Sequence, residues 1–320
     1  MLAQPVEERD PAATAMFREA AQSAIAVECM LAANRSALSR LGSRLRTLEP
    51  RAVVTCARGS SDNAATYARH LIETRLGVLS SSAALSVGSV YGTGPSLTGS
   101  LYVAISQSGM SPDLLASVKQ AKLNGAFTVA FVNEVDSPLA ELADEVFALS
   151  AGKEHSVAAT KSCIVSFAAL ALLVAAWAGD ASLAEAIDAL PETLAQAWAL
   201  DWNVASDLLA DSVNLYTLGR GPGLGVAQET ALKLKETCGI HAEAISTAEV
   251  LHGPMALAKP GFRSLVFAQN DAARAGTLAM AQSLVDRGAA VLIAGADLAG
   301  AQALPFIATH AAIEPILMLQ

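Results

Sequence analysis

Three hydroxyls, an amide and a glycine stand together in Ile105-Ser106-Gln107-Ser108-Gly109-Met110-Ser111-Pro112-Asp113. An apolar run, Leu101 to Ile105, leads in, and a helical pattern, Leu114 to Leu123, leads out. That order predicts a strand, a tight loop and a helix N-terminus. Backbone N–H groups at a helix start lack intrahelical partners, and the helix dipole adds partial positive charge there. With Ser106, Ser108 and Ser111 converging, such a loop can hold a phosphate by hydrogen bonds alone. A plain N-cap, with Pro112 at the first helical position, accounts for one serine and not for three. Upstream lies a second unit of the same kind. Ala52 to Ala57 reads as a buried strand, Arg58-Gly59-Ser60-Ser61-Asp62 as its loop, and Asn63 to Leu76 as a helix.

A different chemistry gathers later in the chain. Ala227 to Cys238 reads as a helix with Glu229, Lys233 and Glu236 on one face. His241, Glu243, Glu249 and His252 follow closely, in a chain of which only 16% is charged. Such a group suits a general base with a proton shuttle. The helix spacing alone fits a solvated salt-bridge face equally well. His241 and His252 lack HExxH spacing and no further ligand cluster accompanies them, so no metal is expected. Leu218-Gly219-Arg220-Gly221-Pro222-Gly223-Leu224-Gly225 fails the GxGxxG dinucleotide pattern, and no redox cofactor is expected.

These groups need a frame. The 320 residues give room for two domains, and 53% are apolar, enough for buried sheets. The net charge of −9 comes with no basic run, which argues against nucleic acid. An anionic substrate must therefore be held by local donors against an unfavourable overall field. Cys29, Cys56, Cys163 and Cys238 are scattered without metal or CxxC spacing, as in a reduced cytoplasmic protein. Glu7, Glu8, Arg9 and Asp10 near the start are unlike a signal peptide. Cys163 to Gly179 is almost wholly apolar but short for a membrane span, and reads as a helix buried between domains or at a dimer interface. Its lead-in, His155 to Lys161, offers polar groups to a ligand, with Val157 and Ala158 at its centre.

Helices over Ala12 to Ala33 and Arg35 to Leu48 precede the first strand. Leu79 to Leu85, Ala126 to Val132 and Val146 to Ser150 read as further strands, Gly88 to Gly99 as a loop, and Pro138 to Ala143 as a short helix. Alternation at this spacing predicts a doubly wound parallel sheet with ligands beyond the strands' carboxyl ends. The second half repeats the first: an offset of 162 residues carries Arg58-Gly59 onto Arg220-Gly221, and Gln107 onto Gln269. The copies differ where chemistry would sit. Ser106-Gln107-Ser108-Gly109 becomes Ala268-Gln269-Asn270-Asp271, and a carboxylate repels phosphate, so the phosphate site is expected in the first copy only.

The stretches ISQSG, VAATKS, ETALKLKET, IHAEA and AEVLHGP resemble the sugar isomerase (SIS) domains of the isomerase half of glucosamine-6-phosphate synthase, over nearly the whole chain. The resemblance implies two tandem doubly wound α/β/α SIS domains behind N-terminal helices. The expected bounds are 1–50 for those helices, 51–180 for the first domain, 181–211 for a helical connector and 212–320 for the second domain. It implies a homodimer with a shared active site and a hexosamine or hexose 6-phosphate substrate, with neither nucleic acid nor membrane as partner. Phosphate and sugar contacts carry over to Ser60, Ser61, Ser106, Gln107, Ser108 and Ser111, with Gly59 in the same loop. The catalytic glutamate carries over to Glu236, the lysine beside it to Lys233, and a histidine supplied by the neighbouring subunit to His252. The chain departs from the synthase in three ways: no glutaminase domain precedes the helices, Ala159 replaces a usual serine, and the sequence stops at Gln320, before the family's tail lysine, being either truncated or without that lysine. A stand-alone chain of this type resembles the SIS-type glucosamine-6-phosphate deaminases.

Overall fold

The computed structural model describes residues 10–320. Glu7, Glu8 and Arg9, part of the stretch read as unlike a signal peptide, lie outside the described residues. Two helices open the fold, α1 (Ala15–Ala20) and α2 (Ser23–Leu48). The break falls at Ala21-Gln22, not near Asn34 as the sequence suggested. Asn34 looked like a boundary because it is polar, yet it is buried inside α2 and satisfied: its Nδ2 donates to Met30 O at 2.9 Å and to Ala148 O at 2.7 Å.

The first sheet holds β1 (Ala52–Cys56), β2 (Leu79–Ser82), β3 (Ser100–Ser106), β4 (Phe127–Val132) and β5 (Glu145–Ala148). All pairs are parallel, in the order β2-β1-β3-β4-β5. Parallel strands need crossovers, which α3 (Ser60–Leu76), α4 (Leu85–Ser89), α5 (Pro112–Leu123) and α6 (Pro138–Leu142) supply. The expected strand Leu79 to Leu85 stops at Ser82, because Leu85 turns inward to pack with Val118 and starts α4.

Four helices link the halves: α7 (Lys161–Ala178), α8 (Ala181–Asp188), α9 (Leu190–Trp198) and α10 (Asn203–Leu209). The second sheet holds β6 (Asn214–Gly219), β7 (His241–Ser246), β8 (Arg263–Phe267), β9 (Ala290–Ala294) and β10 (Gln302–Leu304), all parallel, in the order β10-β9-β8-β6-β7. With it come α11 (Gly223–Cys238), α12 (Arg274–Asp286) and α13 (Glu314–Leu319). Strand for strand this is the order of the first sheet. In each, the chain reverses direction of travel across the sheet at its first strand, which creates a crevice beside β1 and β3 and another beside β6 and β8.

Helix α7 is long and apolar enough to cross a membrane, but 89% of it is buried within the chain, against α2 and α3. It is a core helix. One hydrophobic cluster runs from Val53 and Leu101 of the first sheet through Phe167 and Leu170 of α7 to Leu265 and Leu292 of the second sheet. The outer faces of the two sheets have smaller clusters of their own.

Candidate active site

Cys56 at the end of β1 lies opposite Ala104 of β3, so the loops leaving these strands start side by side. Between them opens a cavity of about 210 Å³ lined by Ser60, Ser61, Ser106, Gln107, Ser108 and Ser111. All six polar contacts expected from the sequence are thus brought together. Gly59, at φ +54°, makes the turn into α3, a conformation that favours glycine. Gly109 is more constrained: φ is +63°, and a Cβ there would lie 2.2 Å from Ser137 Oγ.

The hydroxyls are not equivalent. Ser106 Oγ is buried and accepts from Gly109 N–H at 2.9 Å, and Ser108 Oγ accepts from Met110 N–H at 3.3 Å. Among the described residues neither hydroxyl donates a hydrogen bond, so both can donate to a ligand. Ser111 instead donates to Asp113 Oδ1 at 2.6 Å. Arg58 also lines the cavity, and its Nε and Nη2 reach Asp113 Oδ2 at 3.0 and 2.6 Å. The Ser111 hydroxyl and the Arg58 guanidinium hold the Asp113 carboxyl below the usual range. Here the serine loop closes on itself, and a cation stands at the edge of the cavity.

The second sheet contributes α11. A Cβ at Gly225 would lie 2.5 Å from Asn63 O, so only glycine lets α11 approach α3 this closely. One turn on, Asn63 Nδ2 donates to the buried Glu229 Oε2 at 2.8 Å. Lys233 Nζ then lies 3.3 Å from Glu229 Oε1, 2.7 Å from Glu236 Oε2 and 3.3 Å from Ser60 Oγ. The helical face read from sequence runs from the buried Glu229 through Lys233, which reaches Ser60 at the serine cavity, to the more open Glu236, which does not line that cavity. Burial alone would lower the Lys233 pKa, but the Glu229 and Glu236 carboxylates raise it above its ordinary value. Lys233 is an ammonium and no base. Glu229 is enclosed, and Glu236, with its side chain 34% exposed, is the carboxylate open to a ligand.

A second cavity of about 140 Å³ adjoins, lined by Glu229, Lys233, Ala159 and Cys163 together with Met16 and Ala20 of α1. Cys163 stays a thiol, since burial and the Glu229 carboxylate push its pKa well up. Val157 and Ala158 do not line either cavity: Val157 points fully into solvent, and Ala158 is packed inward, while the next residue, Ala159, forms the wall. His252 sits exposed in a short 3₁₀ turn, Val250–His252, and lines neither cavity, and His241 is exposed on β7. Among the described residues no three His, Cys, Asp or Glu side chains cluster as a metal ion requires.

Arg58, Asn63, Glu229 and Ser162 were not singled out as site residues. Arg58 adjoins the first serine loop and Glu229 shares the Lys233 face, which are usable signals. Ser162 closes the VAATKS stretch, whereas Asn63 carries no signal, because only the fold brings it here.

The matching crevice of the second sheet is already filled. Asn270 N–H donates to Glu314 Oε2 at 2.6 Å and Thr309 N–H to Glu314 Oε1 at 3.2 Å. Ala273 N–H donates to Asp271 Oδ1 at 2.8 Å, and Gln269 Nε2 to Asp271 Oδ2 at 2.9 Å.

Comparison with known proteins matches the SIS domain family at residues 48–176 and 208–315. A crystal structure of a Silicibacter pomeroyi DSS-3 protein, provisionally called a phosphosugar isomerase, is 40% identical with a TM-score of 0.92, covering 96% of this chain and 94% of that one. The glutamine–fructose-6-phosphate aminotransferase of Symbiobacterium thermophilum is 34% identical over 272 residues, 80% of this chain and 44% of that protein. The chain spans less than half the length of the curated relatives it matches. The glucosamine-6-phosphate deaminase of Thermotoga maritima shares the fold, at 22% identity and a TM-score of 0.75 over 96% of this chain and 92% of that one.

Proposed function

We propose that this chain, which belongs to the SIS-domain family, is a phosphosugar enzyme that converts glucosamine 6-phosphate and water to fructose 6-phosphate and ammonia. The observation that supports this reading is the Lys233 contact with both Ser60 and Glu236, which links a carboxylate able to accept a proton to the serine-lined cavity. The donors of Ser106, Ser108 and the α3 and α5 N-termini suit the phosphate, remote from the reacting carbons. The open-chain sugar would then extend toward Glu236.

In that pose Glu236 takes the proton from C2 of the 2-amino aldose, and the pair of electrons moves to form the enolamine. The proton is returned at C1, and O1 gains a proton as the nitrogen gives one up, giving the ketimine. Water adds at C2 and ammonia leaves, with fructose 6-phosphate as product. The Lys233 ammonium, 2.7 Å from Glu236, holds that carboxylate in place. His252, exposed on this chain, is assigned to ring opening in the site of a second copy, in line with the family resemblance.

The test is ammonia release from glucosamine 6-phosphate, with glucose 6-phosphate as comparator. Conversion of glucose 6-phosphate without ammonia from the amino sugar would make the protein a plain aldose–ketose isomerase. Binding of both without turnover would make it a sensor.

A further inference from the structure

Between β5 and α7 the chain crosses the site as a segment, residues 152–160, that belongs to no strand or helix. Its Ala159 forms wall in both cavities, so its position sets their shape. Two carboxylates hold it. Glu154, inside the segment, accepts from Thr160 N–H and Thr160 Oγ1, both at 2.8 Å, and from the Ser162 hydroxyl. It thereby caps α7 in place of the absent side-chain cap. The other carboxylate comes from outside. Glu19 of α1, 6% exposed, accepts from His155 N–H at 2.5 Å, from Ser156 N–H at 3.0 Å and from the Ser156 hydroxyl. Three residues on, Gln22 Oε1 accepts from the buried Lys161 Nζ at 2.8 Å.

We propose that Glu19 is a positioning residue that fixes the segment 154–160 against the substrate cavity, so that helix α1, outside both sheets, helps to build the site. The inference rests on the functional reading above for what the cavity binds. A carboxylate suits the task because it accepts several N–H and O–H bonds at once, and charge-assisted bonds are about twice as strong as neutral ones. Burial alone would raise the Glu19 pKa, but the Ser156 and His155 bonds overcome this and hold it low. The carboxylate is charged, as the clamp requires. Met16 and Ala20, on the same helix, line the second cavity, so a shift of α1 moves wall and segment together.

The test compares full-length wild type with Glu19→Ala and Glu19→Gln, reading amide hydrogen exchange at His155 and Ser156 alongside kinetics with glucosamine 6-phosphate. In Glu19→Ala, exchange at those two amides should accelerate and KM should rise on the order of tenfold, with kcat changed less. Glu19→Gln keeps the size and one acceptor oxygen, so it should fall between the two. Unchanged exchange overturns the clamp. Faster exchange with unchanged KM overturns its bearing on the site. A fall in kcat that tracks Tm, with KM constant, assigns Glu19 to fold stability and overturns the proposal as well. Wild type that turns over no sugar phosphate counts against the function alone. The exchange measurement and a binding titration with glucosamine 6-phosphate then decide the clamp.

Discussion

The crevices beside β1 and β3 and beside β6 and β8 are built alike and used oppositely. Each offers backbone N–H groups at the carboxyl ends of parallel strands. In the second, Glu314 and Asp271 occupy those donors, and Gln269 is buried among its own bonds. In the first, the equivalent positions carry hydroxyls whose protons are uncommitted at Ser106 and Ser108. A fold of this kind is an anion receptor by default. Whether it receives a ligand depends on whether the chain has placed a carboxylate of its own there. The second sheet, its crevice filled by its own carboxylates, reaches across the domain contact with Lys233, which meets Ser60.

The sharpest way to break this division of labour is Glu236→Gln, which removes what only the second sheet supplies. Turnover should fall by about 10²–10⁴-fold while KM holds. If His252 acts in a second copy's site, mixing that variant with His252→Ala under subunit exchange should recover part of the activity. Absence of recovery despite proven exchange would assign both residues to one chain's site.

Ser106→Asp would give the first crevice the second one's device. A donor is lost and a like charge faces the phosphate, so affinity for glucosamine 6-phosphate should drop by more than about 100-fold. Unchanged affinity would mean that phosphate binds elsewhere. Ser106→Ala, which removes the donor alone, should weaken binding by about 1.5–3 kcal/mol. Asn270→Ala, at the second-sheet counterpart of Ser108, should leave calorimetric affinity as it was.

The smallest effect concerns Asp113. Its carboxyl is held below the ordinary range by Ser111 and Arg58, so it stabilises the fold above the ordinary carboxylate pKa, and that contribution is lost as pH falls through the folded value. Arg58→Ala should raise the Asp113 pKa in an NMR titration. The stability change should be slight, because Arg58 is largely exposed.

Much of this was legible in the residues. Hydroxyls at Ser106, Ser108 and Ser111 behind a strand, and a four-then-three spacing at Glu229, Lys233 and Glu236, announce local geometry, and the loop and the helical face lie where those spacings put them. The offset of 162 residues matches the starts of β1 and β6, at Ala52 and Asn214. What stayed hidden depends on distance along the chain. Glu19 meets Ser156 and Glu314 meets Asn270 through contacts that no periodicity encodes. Asn34 misled because polarity marks a helix end only where no buried acceptor is waiting, and Ala148 O is such an acceptor. Val157 misled differently: a residue in a ligand-facing stretch is not itself ligand-facing, and the wall is formed by Ala159.

The cluster that joins Leu101, Phe167 and Leu265 has a consequence for how this molecule came about and how it comes apart. A duplicated unit begins as two independent folders. Here each sheet has given one of its faces to a common interior threaded by α7, and a half cut free would carry a bare apolar wall. The duplication is no longer reversible, and the two halves should melt together in a single calorimetric transition.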